Sequence, residues 1–405
     1  MGESLSCTKN LYVLFRHPSG YVSLIIPCLV YGCELNFCTR IKAYDTSNGP
    51  SIEEDARYKP DVTFYDANTS DSENRITSFQ RMEMFVEFKY GTSDPFHTED
   101  QGQFEKLFET TCVTRGQIVL YSTRQQTYQF RICAFSVGIF GDVARLFRWD
   151  RSGAIVSAPI HYSKKGNTYL AEFFRRFDLM NRAQRGWDPT VFSATLDEAA
   201  AFDNAIRSVV GEGNNQLLAS LFQSVGDQRN YPRNRIEIPT EGEDPQVVSY
   251  VVGRPIAIAR SPTGRATRGF VALSMFTGKL VFLKDSWRPN IEGMMGEAHW
   301  FERLEGAKNI SKFLHGSDVR CALVKRRRAT RSQRALGTEL QQTLTDLYSM
   351  DYGWAREMVG YTHYRTVQSE FYVPLEMFTN SKHLTQIIYD AIIGTIFLPC
   401  QSPHH

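Results

Sequence analysis

Gly264-Arg-Ala-Thr-Arg-Gly269-Phe-Val271, then Val281-Phe-Leu-Lys284, then Glu297: the order and spacing of these pieces decide how the C-terminal half of the chain is read. A glycine-bearing turn lets backbone amides approach a phosphate closely, because a Cβ would collide with it or forbid the required dihedrals. Gly269-Phe-Val-Ala-Leu-Ser-Met-Phe276 reads as the strand leaving that turn, and Thr277-Gly278 as a hairpin signal. Lys279-Leu-Val-Phe-Leu-Lys284-Asp285 reads as the return strand. Side chains alternate with period two, so Phe282 and Lys284 share a face and Lys284 points back under the turn. A helix is predicted within 290–304, where Met294, Phe301 and Leu304 stand at i−3, i+4 and i+7 of Glu297. That spacing sets Glu297 on the apolar face. A carboxylate there needs a buried cation, and Lys284 is the candidate. Gly293 and Gly296 loosen the helix.

A lone Gly-x-Ala-x-x-Gly is an ordinary turn, but followed by a strand lysine and a helix glutamate it resembles the nucleotide-binding half of a protein kinase. Ser261-Pro-Thr-Gly264-Arg-Ala-Thr267-Arg-Gly269 with Leu283-Lys-Asp-Ser-Trp-Arg288 resembles, more specifically, the fungal-type protein kinase family. Arg148-Trp-Asp-Arg-Ser-Gly153 and Gly186-Trp-Asp-Pro-Thr190 are similar to that family's N-terminal region. Tyr364-Arg365, Pro374-Leu-Glu-Met-Phe378 and Ser381-Lys382 are similar to its passage into the second lobe. The resemblance spans about residues 51–394. It implies a kinase-like fold and ATP-dependent Ser/Thr phosphorylation of a protein substrate, with ATP and Mg as cofactors. It makes Lys284 and Glu297 catalytic, and Gly264, Ala266, Gly269, Val271 and Lys284 nucleotide-binding. Ala266 replaces the family's middle glycine. The family's catalytic loop is expected soon after Asp390-Ala391, but residues 395–405 do not resemble it, and neither His-Arg-Asp nor Asp-Phe-Gly occurs. The expectation is therefore an N-lobe with its C-lobe essentially missing, a pseudokinase by itself.

A second constellation lies upstream. Pro60-Asp61 opens one strand, Glu87-Phe-Lys89 ends another, and Gln117-Ile-Val-Leu-Tyr121 lies on a following helix. Glu87 and Lys89 face one way on their strand while Met84, Val86 and Phe88 face the core. Asp61 and Glu87 are candidate ligands of Mg²⁺ or Mn²⁺, and Glu53 or Glu54 offers a further acid. Lys89 is placed to hold the attacking water or stabilise developing charge. Gln117 and Tyr121, at i and i+4, share a helix face over that site. Together these residues resemble the PD-(D/E)xK nuclease core with the Gln-xxx-Tyr helix of its RecB-like branch, which implies a nucleic-acid partner. The plainer alternative is a solvated Glu–Lys pair on a strand. Asp150-Arg151 reads either as catalytic or as a strand-ending turn fixed by an Asp–Arg pair.

At 405 residues, 42% hydrophobic and 13% aromatic, the chain is globular, with two or three domains. A net charge of +2 gives no global pull toward nucleic acid or membrane. Eight dispersed cysteines form no disulfide pattern, and Cys28, Cys33 and Cys38 fit no zinc spacing. Reduced thiols in an intracellular protein, of cytoplasm or nucleus, are the expectation. The apolar run at 21–31 contains Pro27 and is too short for a bilayer, so no membrane partner is expected. The basic run at 325–334 reads as a nuclear-import or nucleic-acid patch, or as a solvated insertion loop.

The fold class expected is α+β / α/β. Residues 1–50 form a poorly defined segment, and 51–225 a mixed-sheet, nuclease-like domain. A linker follows at 226–246, then a kinase-like N-lobe of antiparallel sheet plus αC-type helix, with the start of the C-lobe, at 247–394. Residues 395–405 are an atypical tail. Strands are predicted near 61–65, 82–89 and 128–137, and helices near 103–110, 114–124, 196–210 and 216–225. A non-catalytic binding protein is the third functional class open to such a chain.

Overall fold

The computed structural model describes residues 38–49, 51–53, 58–68, 77–97, 104–211, 231–239, 247–259, 261–304, 306–307, 309–320, 340–351, 358–372 and 375–396. The expectations for residues 1–37, Glu54, the helix at 216–225, the basic run at 325–334 and the tail beyond 396 lie outside the described residues. The chain divides into two compact units. One takes the sequence to Asp188 with short segments from 260–263 and 343–358; the other takes the remainder.

The first unit is built on a six-stranded mixed sheet of order β1-β2-β3-β4-β5-β6. Its elements are β1 (Ile41–Asp45), β2 (Val62–Asp66), β3 (Met84–Lys89), helix α1 (Glu109–Tyr128), β4 (Ala134–Phe140), β5 (Val143–Asp150), β6 (Gly153–Val156) and helix α2 (Tyr169–Leu179). All neighbours are antiparallel except β3 and β4, whose parallel pairing requires the crossover that α1 supplies. Alternation along β3 sorts its residues between two covers. Met84, Val86 and Phe88 pack with Ile41, Val62, Phe64, Val137 and the α2 residues Leu170, Phe174 and Phe177. Phe85, Glu87 and Lys89 face α1, where the Phe85 ring meets Tyr121 edge-on at 5.6 Å.

The helix expected near 103–110 is not formed, since 104–108 are non-helical and α1 begins at Glu109; it runs on past the end expected near residue 124 to Tyr128, and the next strand starts at Ala134 instead of Tyr128. The apolar stripe that would have revealed it is replaced by buried polar residues. Gln125 donates to the carbonyls of Met82 and Glu83, and Gln129 to those of Phe79 and Met82 at 2.7 and 2.8 Å. The helix is fastened to the sheet's end by amides as much as by packing. Cys38, Cys112 and Cys133 take part in no disulfide.

The second unit carries β7 (Val191–Ser193), helix α3 (Leu196–Gly211), β8 (Asn234–Pro239), β9 (Val247–Val252), β10 (Arg268–Ser274), β11 (Leu280–Pro289), helix α4 (Glu297–Arg303) and β12 (Phe313–Asp318). Helix α5 (Thr345–Asp351) belongs to the first unit, and β13 (Tyr361–Gln368) and helix α6 (Ser381–Ile396) complete the second. Its seven strands form one antiparallel sheet of order β12-β13-β11-β10-β9-β8-β7. The sheet curls, for the edge strand β12 also meets β8: Ser317 Oγ donates to the Pro239 carbonyl at 3.5 Å. Beside that seam the Tyr250 hydroxyl lies 2.5 Å from His315 Nε2.

The units divide after Asp188, not within 226–246. Asn234-Arg-Ile-Glu-Ile-Pro239, inside the expected linker, is a strand with Ile236 and Ile238 buried and polar residues between them. Its proline and charges masked a short two-period pattern. The helix expected within 290–304 begins only at Glu297, because Gly293 has φ +77° and Gly296 serves as the N-cap. Met294 therefore lies outside the helix and is exposed. Among the described residues no helix is long and apolar enough to cross a membrane.

Candidate functional site

Two side-chain constellations stand out, one in each unit. In the second unit, Gly269 on β10 pairs directly opposite Lys284 on β11, and the glycine turn precedes it. Gly264 (φ +87°) and Ala266 (φ +41°) are both left-handed, and between them the Arg265 carbonyl accepts the Trp287 amide at 2.8 Å. This ties the turn to the strand that bears the lysine. Lys284 Nζ bonds Glu297 Oε1, the pairing expected, but Glu297 opens the helix and both side chains are about a quarter exposed instead of lying on a buried apolar face. Arg265 Nη2 lies 3.7 Å from the same oxygen. Val271 sits apart from this group, buried with Phe202, Ile206, Val251 and Leu273.

Asp285 turns to the opposite face. Burial alone would push its carboxyl up, but His363, Arg268 and Arg365 hold it well below the usual carboxylate range. Arg268 Nη2, His363 Nε2 and Arg365 Nε stand 2.6, 2.7 and 2.8 Å from its oxygens. The Trp287 indole stacks on the His363 ring at 4.7 Å between centroids.

In the first unit, the antiparallel pairing of β2 with β3 brings Asp61 beside Glu87. The Phe88 amide donates to Asp61 Oδ2 at 2.8 Å. Glu87 Oε1 accepts from Lys89 Nζ and from Gln117 Nε2, the latter at 2.7 Å. Gln117 Nε2 also lies 2.9 Å from the Tyr121 hydroxyl, which donates to the Lys59 carbonyl at 3.3 Å. Glu87 is 1% exposed, and its Oε2 is buried without a hydrogen-bond partner. Burial, reinforced by the nearby Asp61 charge, pushes its carboxyl up to about 7. Burial also raises Asp61, partly offset by the Phe88 amide and Lys89. Burial and the Glu87 charge push the Tyr121 hydroxyl up to about 12.

Among the described residues no group of three His, Cys, Asp or Glu is arranged to hold a metal. What the site offers is two carboxylates, one with an unsatisfied oxygen, beside a lysine. Such a pair fits a hard divalent cation that keeps several waters. Glu53 is not a further acid of this site: Ser78 Oγ and the Gln80 amide occupy its Oε1, and Ser51 Oγ occupies its Oε2. Asp150 is spent on structure, accepting from Arg148 Nη1, from the Ser152 amide and from the amides of Leu344 and Thr345.

Two participants escaped the sequence reading. Asp45 ends β1 and adds to the upward push on Asp61. Its only signal is the alternation Ile41-Lys-Ala-Tyr-Asp45. Arg265 was hidden as the variable position of a glycine-rich turn. Of the comparisons with known proteins, a family model described as "Fungal protein kinase" matches residues 59–400. No curated protein and no solved structure matches the chain.

Proposed function

This chain belongs to the fungal protein kinase family, and from that premise we propose that Lys284 and Glu297 are the phosphate-positioning pair of a kinase-like nucleotide-binding lobe. The observation that carries the reading is their bond beside a turn anchored to the lysine's own strand. Residues 264–269 and Lys284 would face the phosphates of Mg-ATP, while Glu297 keeps the ammonium group in place. The antiparallel sheet with a helix between β11 and β12 supports the same reading. The 405-residue sequence holds no His-Arg-Asp and no Asp-Phe-Gly, so no residue in it is assigned to take the acceptor hydroxyl's proton. What these residues support is phosphate binding, with no transfer step assigned to them. Titrating ATP into the full chain should give an affinity weaker than micromolar, less than about 8 kcal/mol, lowered further in Lys284→Ala. Protein phosphorylation from Mg-ATP should not exceed that of the same variant. Transfer above it overturns the inactivity, and unchanged binding in it removes Lys284 from its role.

The unpartnered Glu87 oxygen favours a second chemistry in the first unit, metal-dependent phosphodiester hydrolysis by a PD-(D/E)xK-like site. Asp61 and Glu87 would hold Mg²⁺ or Mn²⁺, which when bound polarises a phosphoryl oxygen and activates water. Lys89 would stabilise charge on the attacked phosphate, and Gln117 fixes the Glu87 carboxylate. Incubating the chain with single- and double-stranded DNA in Mn²⁺ should give cleavage that Lys89→Ala loses. Retained DNA binding without cleavage would leave this unit a binding module.

A further inference from the structure

The cations at the glycine turn outnumber the acid that faces them. Lys284 and Arg265 converge on one carboxylate oxygen of Glu297, which leaves one positive charge uncompensated. Asp285, next in sequence to Lys284, does not neutralise it, since its oxygens are occupied by Arg268, His363 and Arg365 across the sheet. The three side chains remain wetted, with Arg265 57%, Lys284 25% and Glu297 26% exposed. At 3.7 Å, Arg265 lies beyond good hydrogen-bond length of Glu297 and is the looser partner. Its backbone is nevertheless fixed, through its carbonyl on the Trp287 amide and a left-handed residue on either side. A guanidinium on a fixed stem, weakly engaged and beside an ammonium group, is suited to a phosphate with two oxygens to offer.

The apolar positions on the same face of the sheet are mostly packed already. The Phe282 ring lies so close to Gly269 that a Cβ there would meet it at 3.0 Å. Farther along, Val271 and Leu273 are buried with Phe202 and Ile206 of α3. Resting on the reading of Lys284 as the phosphate-positioning lysine, we propose that Arg265 and Lys284 form a two-cation site that binds the phosphate chain and not the base. Glu297 is the resident counter-ion that the chain displaces from Arg265.

The experiment uses inorganic tripolyphosphate, ATP and adenosine, titrated into the full chain, Arg265→Ala, Arg265→Lys and Lys284→Ala at one fixed low salt concentration. Tripolyphosphate and ATP should bind alike and adenosine should not compete with either. Arg265→Ala should lose about tenfold for both phosphates, which is about 1.4 kcal/mol, while Arg265→Lys keeps most of the affinity. Thermal melts of the variants should coincide with the parent's, because the side chain is largely exposed; a melt lowered in Arg265→Ala leaves Arg265→Lys against a charge-neutral Arg265→Gln as the deciding pair. If the Arg265 variants bind like the parent while Lys284→Ala does not, the inference fails and the lysine's role stands. ATP binding that adenosine displaces and tripolyphosphate does not also overturns it. A parent chain that binds neither phosphate overturns both.

Discussion

Glu87 must respond to pH, because it is a carboxyl held in a dry place with one oxygen unengaged. Its folded-state value of about 7 lies above the ordinary 4.5, so its contribution to stability is fully present below 4.5 and is lost as pH rises through 7. With chelator present, Glu87→Gln should match the parent near pH 4 in denaturant melts and exceed it by up to about 3 kcal/mol at pH 8. Parallel curves for the two proteins would remove the buried-acid picture. Asp285 makes the opposite case, a carboxylate that buried cations require. Asp285→Asn should cost about 3–5 kcal/mol by removing the carboxylate charge that Arg268 and Arg365 share, seen as a lowered denaturant midpoint with unchanged slope. Contacts that depend on local spacing were legible in the sequence: Lys284 with Glu297, Glu87 with Lys89 and Gln117, and Gln117 with Tyr121. Those whose partners are remote were not, since nothing near Asp285 announces His363, 78 residues away. The Leu283-Lys-Asp-Ser-Trp-Arg288 signature is intelligible only once both faces of β11 are seen. Lys284 serves one face, and Asp285 and Trp287 serve the other.

Elements were legible where one face is plainly apolar and obscure where polar groups make the joints. Strands β2, β3, β10 and β11 and helix α3 fall close to their predicted places. Helix α1 does not, because glutamines and threonines occupy the positions that would hold leucines. The short turn before Gly186 shows how little tolerance such joints have. Ile132 and Cys133 present their amides to the Gly186 carbonyl at 2.8 and 3.4 Å, and Arg131 lies over the Trp187 ring at 4.3 Å. Gly186 has φ +94°, and a Cβ there would stand 2.0 Å from the Cys133 carbonyl oxygen. Gly186→Ala should therefore lower stability by roughly 3 kcal/mol or more. A variant melting within two degrees or so of the parent would show that the joint yields.

At the scale of the whole molecule, the first unit is not one continuous stretch of sequence. Its β5–β6 corner is completed by residues from 343–358: Asp150 accepts the amides of Leu344 and Thr345 at 2.9 and 3.0 Å, and Ser152 Oγ donates to Thr343 at 2.7 Å. A fragment ending at residue 188 should leave the Asp150 carboxylate short of two donors, and hydrogen exchange should find β5 and β6 opening far more readily than in the full chain. Equal protection in both would make the late segment dispensable. Nothing along the chain announces this arrangement, because contiguity is the one thing a linear reading assumes about a domain. Its consequence lies in biosynthesis. A ribosome delivers the N-terminus first, yet this unit cannot close its corner until a segment nearly two hundred residues later has emerged. For most of translation the nascent chain carries an unfinished sheet, which is the kind of client that chaperones at the exit tunnel hold.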